Sequence, residues 1–213
     1  MDKTQHAAHI FNKLANLYES KFMDVSLYAD SLVFFCENMP VQNAKVLELA
    51  CGPGNITKFL LEKRPDLDIL GTDLAPNMLE LAQKNNPTAR FEVMDLRNIS
   101  TINTQYDGII CGFGLPYLSK NDAVLLIQNA EKYLKNKGLL YISTMEDDYS
   151  NSKFEKGSTG DEIFMHYHEF DYLSAAMTAS GLNMIHTERK IYKQAEKTVV
   201  DLVLIAQKPV VSL

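Results

Sequence analysis

Val46-Leu47-Glu48-Leu49-Ala50-Cys51-Gly52-Pro53-Gly54-Asn55 decides the fold of this chain. An apolar run ends in a tight turn of small residues, and a helix-like segment over Ile56–Lys63 follows. That order is the strand–turn–helix entry to a ligand crevice in an open α/β sheet, where missing side chains let backbone approach a bound group closely. Asp73 stands nineteen residues after Gly54, at the end of the next apolar run. A carboxylate there is placed to accept hydrogen bonds from ribose hydroxyls. Turn and acid together, at this spacing, point to a nucleoside far more strongly than the glycines alone.

Working outward, the pattern alternates. Ala44–Ala50 reads as a strand, Ile56–Lys63 as a helix and Leu67–Asp73 as a strand. Pro76 opens the helix Met78–Lys84, Ala89–Met94 is a short strand, and Tyr106–Cys111 is a more apolar one. Ala123–Leu134 has a helical apolar face and closes at Lys135-Asn136-Lys137-Gly138, before the strand Leu139–Thr144. The polar stretch Glu146–Gly160 reads as a mobile loop. Phe170–Ala179 is helical, and Met184–Tyr192 and Val199–Ala206 are strands joined by the short charged turn Gln194 to Lys197, which makes them antiparallel. Two helical stretches precede the glycine turn. One carries Ile10, Phe11, Leu14, Leu17 and Tyr18; the other runs from Leu27 to Met39, stopped by Pro40. Strands alternating with helices predict a three-layer α/β fold around a mostly parallel sheet.

Composition narrows the function. At 213 residues the chain suits one domain, with residues 1–40 as a helical segment over the site and 41–213 as the core. Hydrophobic residues at 46% and charged ones at 23% are ordinary globular proportions. The net charge of −6 tilts against a nucleic-acid surface, which needs a basic stripe to neutralise phosphates. Cys36, Cys51 and Cys111 have no CxxC spacing and read as reduced, buried thiols. The polar start, Met1 to Ile10, has no signal-peptide core, and no segment has the length to span a membrane. The expectation is a soluble cytoplasmic domain, monomer or homodimer.

The turn resembles that of the class I S-adenosylmethionine-dependent methyltransferases, in which an acid on the first strand precedes Gly-x-Gly-x-Gly. Here Glu48 precedes Ala50-Cys51-Gly52-Pro53-Gly54, with Ala50 in place of the first glycine. The likeness runs from about Lys45 to the C-terminus and implies a Rossmann-like sheet of seven strands with the last one antiparallel. It also implies S-adenosylmethionine as cofactor and a methyl acceptor, here expected to be a small molecule. Gly52 and Gly54 would hold the turn, with Cys51 just before them, and Asn55 would open the helix toward the methionyl carboxylate. Glu48 would meet the ammonium group or brace the turn. By resemblance, Asp73 in Gly71-Thr72-Asp73-Leu74-Ala75-Pro76-Asn77-Met78 binds the ribose, with Leu74 and Met78 against the adenine. The rival role for Asp73 is a helix N-cap. Asp95 and Leu96, after Arg90-Phe91-Glu92-Val93-Met94, would recognise the adenine edge. Cys111, Gly112 and Phe113 would border the methionyl part, and Tyr117 the methyl group. Tyr18, Phe22, Met23 and Tyr28 of the leading helices are candidates to cover the crevice.

Methyl transfer from a sulfonium needs mostly an in-line nucleophile, and a base only if the acceptor must lose a proton. Candidate bases are His166 and His168, in Phe164-Met165-His166-Tyr167-His168-Glu169; the rival reading makes them surface or capping histidines. No third ligand accompanies them, so no metal is expected. Two other classes stay open. A nicotinamide-dependent oxidoreductase shares the turn and the distal acid, although Thr57 stands where its third glycine would fall. A non-catalytic S-adenosylmethionine-binding protein would keep the pocket without turnover.

Overall fold

The computed structural model describes residues 2–39, 41–194 and 197–210. The helix stop read at Pro40 and the middle of the turn after Gln194 lie outside the described residues.

The chain begins with α1 (Lys3–Lys13), α2 (Ala15–Phe22) and α3 (Ala29–Asn38). Asp2 caps α1 by accepting the Gln5 N–H at 2.8 Å. The first apolar stretch is not one helix, because Leu14 leaves helical geometry at φ −104° and ψ 15° and serves as the end of α1 and the start of α2. Then follow β1 (Lys45–Leu49), α4 (Asn55–Lys63), β2 (Asp68–Asp73), α5 (Pro76–Asn85), β3 (Arg90–Val93), β4 (Tyr106–Gly112) and α6 (Lys120–Tyr133). The last part holds β5 (Leu134–Met145), β6 (Lys153–Lys156), β7 (Glu162–Met165), α7 (Phe170–Ala179), β8 (Asn183–Gln194) and β9 (Lys197–Gln207).

Seven strands form one sheet in the order β3-β2-β1-β4-β5-β9-β8. β1 to β5 run parallel, and β9 is antiparallel to both its neighbours. The final strand is thus inserted between β5 and β8. Period-two alternation feeds two cores. Leu47, Leu49, Ile109, Cys111, Leu140 and Ile142 face α6 and α7, whereas Val46, Ile69, Ile110, Tyr141 and Val203 face α3 and α4. This is the three-layer, mostly parallel arrangement that the alternating pattern predicts.

Two readings of the sequence need correction. Lys135–Gly138 does not close α6 as a turn; α6 runs directly into β5, whose Leu134 pairs with Tyr106 before the register shifts. The buried Asp107 carboxylate draws this stretch in, accepting from Lys135 Nζ at 2.7 Å and from the Lys45 N–H at 2.8 Å. Glu146–Gly160 is not a bare loop either. It contains β6, which pairs antiparallel with β7 as a two-stranded sheet. Phe154 and Phe164 meet edge to face across it at 5.2 Å. The hairpin docks on α1, with Lys3 over the Phe164 ring at 3.1 Å and Lys13 bonded to Asp161 at 2.9 Å. Its partners come from far away in sequence, so local polarity conceals it. Among the described residues no helix is long and apolar enough to cross a membrane.

Candidate functional site

The site is built at the carboxyl ends of β1, β2 and β4, where the strand order reverses. After β1 the backbone enters the left-handed region at alternate residues: Ala50 at φ 52°, Gly52 at 52° and Gly54 at 76°. Glycine accepts this without cost, while Ala50 carries roughly 1–2 kcal/mol of strain. Phe113, at the exit of β4, is held the same way at φ 54°. Both strained residues lie on the wall of the cleft, and strain of this kind persists only where surrounding structure enforces it.

Asp73 ties the turn down. Its Oδ2 accepts the Gly52 N–H at 2.9 Å and its Oδ1 the Ala75 N–H at 2.8 Å. Burial raises its pKa, opposed by these backbone donors. It does not cap α5, whose N-cap is Ala75 with no side-chain bond. Each carboxylate oxygen keeps further acceptor capacity toward the cleft.

The cleft itself has a free volume of about 70 Å³, less than small-molecule sites usually offer, and it adjoins a second cavity of about 280 Å³. Asp73, Leu74, Met78, Met94 and Leu96 form one wall, and Thr4, Ala7, Ala8 and Phe11 of α1 form its cover. An aromatic chain arches over it: Tyr18 to Phe11 at 5.6 Å and Phe11 to Tyr117 at 5.0 Å. Thr4 Oγ1 donates to the Tyr117 carbonyl at 2.7 Å, fastening α1 to the β4 exit loop.

A second chamber opens past Tyr18, Ala50, Gly52, Gly112, Phe113 and Tyr117, which the two cavities share. Its deeper wall includes Tyr28, Tyr141, Ser143, Tyr192 and Asp201, with Glu48 and Asn55 at the turn. Glu48 is buried and bonded to the Thr57 hydroxyl; burial pushes its carboxyl up to about 8. Asn55 accepts from the Ile56 N–H at 2.9 Å and donates to the Phe22 carbonyl at 2.8 Å, joining α4 to the end of α2.

Most of the residues singled out from sequence therefore meet. Tyr18, Ala50, Gly52, Asp73, Leu74, Met78, Leu96, Gly112, Phe113 and Tyr117 line the cleft, and Glu48, Cys51 and Asn55 the chamber. Others do not reach either cavity. Gly54 packs against Asn86 and Ala82, and Cys111 is fully buried, its thiol pushed up to about 12 by burial. Asp95 turns away to Arg97, accepting from Nε at 3.0 Å, from Nη2 at 2.6 Å and from the backbone N–H at 2.9 Å. An arginine two residues on captures the carboxylate, so its neighbours Met94 and Leu96 form the wall.

His166 and His168 are not surface histidines: both are buried, and neither lines the cleft or the chamber. His168 Nε2 lies 2.8 Å from the Leu115 carbonyl, and its Nδ1 is bonded to the Tyr172 hydroxyl. The His166 N–H donates to the Pro116 carbonyl at 2.8 Å, and its Nδ1 lies 3.1 Å from the Tyr149 hydroxyl. Burial lowers the pKa of both, that of His168 to about 4. They clamp the Leu115–Tyr117 loop from behind.

Sequence reading missed Phe11, Tyr141, Ser143, Tyr192 and Asp201. Asp201 had a signal: it is the one acid inside the apolar run Val199–Ala206, as Glu48 is inside Val46–Ala50.

Residues 46–138 match a family described as a methyltransferase domain. Demethylmenaquinone methyltransferase of Thermotoga maritima is 32% identical over 144 residues, covering 65% of this chain and 61% of that protein. The chain spans less than two thirds of the length of the curated relatives that it matches first. Among solved structures, an S-adenosylmethionine-dependent methyltransferase from Clostridium acetobutylicum superimposes with a TM-score of 0.72 at 17% identity, covering 94% of this chain and 99% of that one. The [4+2]-cyclase SpnF does so at 0.76 and 12%, covering 98% of both. Likenesses at such low identity establish the fold alone, and the cyclase illustrates that one fold hosts different reactions.

Proposed function

We propose that this chain is a class I S-adenosylmethionine-dependent methyltransferase and that it transfers the methyl group of S-adenosylmethionine to a small-molecule acceptor by in-line displacement. The observation that carries the proposal is the joining of two cavities at one strained junction. A cleft floored by Asp73 and the glycine turn opens past Gly112 and Phe113 into a separate chamber. One cavity suits a nucleoside and the other a reaction partner.

The donor set fits the cofactor. Asp73 offers its remaining lone pairs to the ribose hydroxyls, and Leu74, Met78 and Leu96 offer an apolar slot to the base. Glu48 stands by the turn for an ammonium group, and the bare Gly52 and Gly112 leave room for the methionyl chain. When bound, S-adenosylmethionine supplies a methyl group already activated on a sulfonium. The protein's own task is then orientation and exclusion of water. Tyr18, Phe11 and Tyr117 close the roof, and their π-faces favour positive charge beneath them. Burial raises the Tyr117 phenol above its ordinary range, so it remains a neutral donor at the junction. His166 and His168 serve this reading as loop supports, with no contact to the acceptor.

Relatives whose printed names include demethylmenaquinone and trans-aconitate methyltransferases support a small-molecule acceptor. Isothermal titration with S-adenosylmethionine, S-adenosylhomocysteine and NAD tests the cofactor, and transfer of labelled methyl to an acceptor panel tests turnover. Binding of the two sulfur nucleosides but not NAD is expected. Binding of NAD alone would overturn the proposal in favour of an oxidoreductase. Binding without transfer to any acceptor would leave a non-catalytic protein.

A further inference from the structure

The chamber beside the cleft has an unusual chemical balance. Asp24, Glu48 and Asp201 contribute three carboxyl groups to its lining, and among the described residues no Lys, Arg or His lines it. Aromatic side chains share the rest of the wall with aliphatic and small ones: Tyr28 lies against Phe113 at 5.1 Å, and Tyr141 and Tyr192 line it beside Asp201.

Asp201 is the group without an assigned task. It lies on β9 opposite Met145 of β5 and Lys190 of β8, and the Lys190 ammonium is engaged by Glu188 at 2.6 Å. Its side chain is 1% exposed. Tyr28, brought in just ahead of α3, donates to its Oδ2 at 2.6 Å. Its Oδ1 is buried and has no hydrogen-bond partner among the described residues. A carboxylate in such a place is costly unless something accepts the duty of pairing it. Burial raises its pKa, and its charge adds to the burial that pushes the Tyr192 phenol up to about 12. The Tyr192 phenol stands near enough to favour the charged form of Asp201, as Tyr28 does, yet Oδ1 itself has no hydrogen bond of ordinary geometry, so that oxygen keeps acceptor capacity for a further donor.

We propose that Asp201, positioned by Tyr28, anchors the methyl acceptor, and that the acceptor is a small molecule presenting an N–H or O–H donor and burying no anionic group. The inference rests on the methyltransferase reading and narrows its substrate class. Amines and neutral alcohols or phenols fit the wall: their donor meets Oδ1, and their carbon skeleton or positive charge meets the aromatic faces. A carboxylate acceptor fits badly. It would enter a chamber lined by three acids and by no basic side chain to compensate it. The acceptor of trans-aconitate methyltransferase, a relative matched over 57 residues, is of that unfavoured kind.

The test uses the full chain saturated with S-adenosylhomocysteine and three matched probes: 2-phenylethylamine, 2-phenylethanol and 3-phenylpropionate. Isothermal titration should rank the amine or the alcohol at least about ten-fold tighter than the carboxylate. The same two probes should weaken by about ten-fold in Asp201→Asn, with Tyr28→Phe giving a smaller loss in the same direction. Affinity for S-adenosylhomocysteine should be unchanged in both variants, which also reports that they fold. The proposal is overturned if the carboxylate binds as well as the other probes, if no probe binds, or if Asp201→Asn leaves the ranking intact. Failure of S-adenosylhomocysteine itself to bind the unaltered protein would instead sink the cofactor reading. Titrating the three probes against the cofactor-free chain would then decide the present one by the same ranking.

Discussion

Asp73 Oδ2 accepts the Gly52 N–H at 2.9 Å, so the acid that ends β2 and the turn that follows β1 are one hydrogen-bonded unit across 21 residues of sequence. The carboxylate shapes the cleft even before any ligand arrives. Replacing it therefore has two separable effects. Asp73→Ala leaves the Gly52 and Ala75 N–H groups without their acceptors, at about 1–3 kcal/mol each where they stay dry. Thermal unfolding should show that loss, and titration should show S-adenosylmethionine bound about ten- to a hundred-fold more weakly. Asp73→Asn keeps one carbonyl oxygen and should lie between. A folded Asp73→Ala protein with full affinity would remove the ribose role.

The glycine turn offers a test of backbone geometry against space. At Gly54, with φ 76°, an added Cβ would fall 2.4 Å from Asn86 Nδ2 and 3.2 Å from the Ala82 Cα. At Gly181, with φ 81°, nothing lies within 4 Å of it. Gly181→Ala should cost only the left-handed penalty, about 1 kcal/mol. Gly54→Ala adds the collision with α5 and should cost roughly 2–4 kcal/mol by urea unfolding. Equal losses at both sites would mean that the turn yields without disturbing α5.

His168 makes stability depend on pH in a stated direction. Burial lowers its pKa from 6.5 to about 4. Between these values the unfolded chain binds a proton that the folded one refuses. The stability tied to neutral His168 is thus complete above pH 6.5 and drains away as pH falls toward about 4. The expected difference is roughly 2–3 kcal/mol across that window. Unaltered protein should lose melting temperature on acidification faster than His168→Gln, whose amide still reaches toward Leu115 without titrating. Parallel curves for the two proteins would show that His168 titrates freely.

Local signals carried the central part of the fold because they are dense there. Val46–Leu49 is apolar but for Glu48, the turn contains two glycines, and Asp73 ends the next strand, so each element is marked by its own residues. The β6–β7 hairpin was opaque for the opposite reason. Phe154 is the only large apolar side chain of β6, and the hairpin's anchors on α1, Lys3 over Phe164 and Lys13 on Asp161, lie far along the chain. The same applies to Asp95 and the two histidines: residue type suggested chemistry, whereas Arg97, Leu115 and Tyr172 had already engaged their polar atoms.

By itself the sequence determined the alternation of strand and helix, the parallel sheet with its reversed last strand, and the cleft at the first crossover. Periodicity and backbone permissiveness are properties of neighbouring residues. Only the tertiary structure decided what faces that cleft from outside it. The roof from α1, the loop clamp from His166 and His168, and the Tyr28–Asp201 pair join residues up to 173 positions apart. Such contacts depend on which surfaces the packed sheet presents to one another, and no local pattern encodes that.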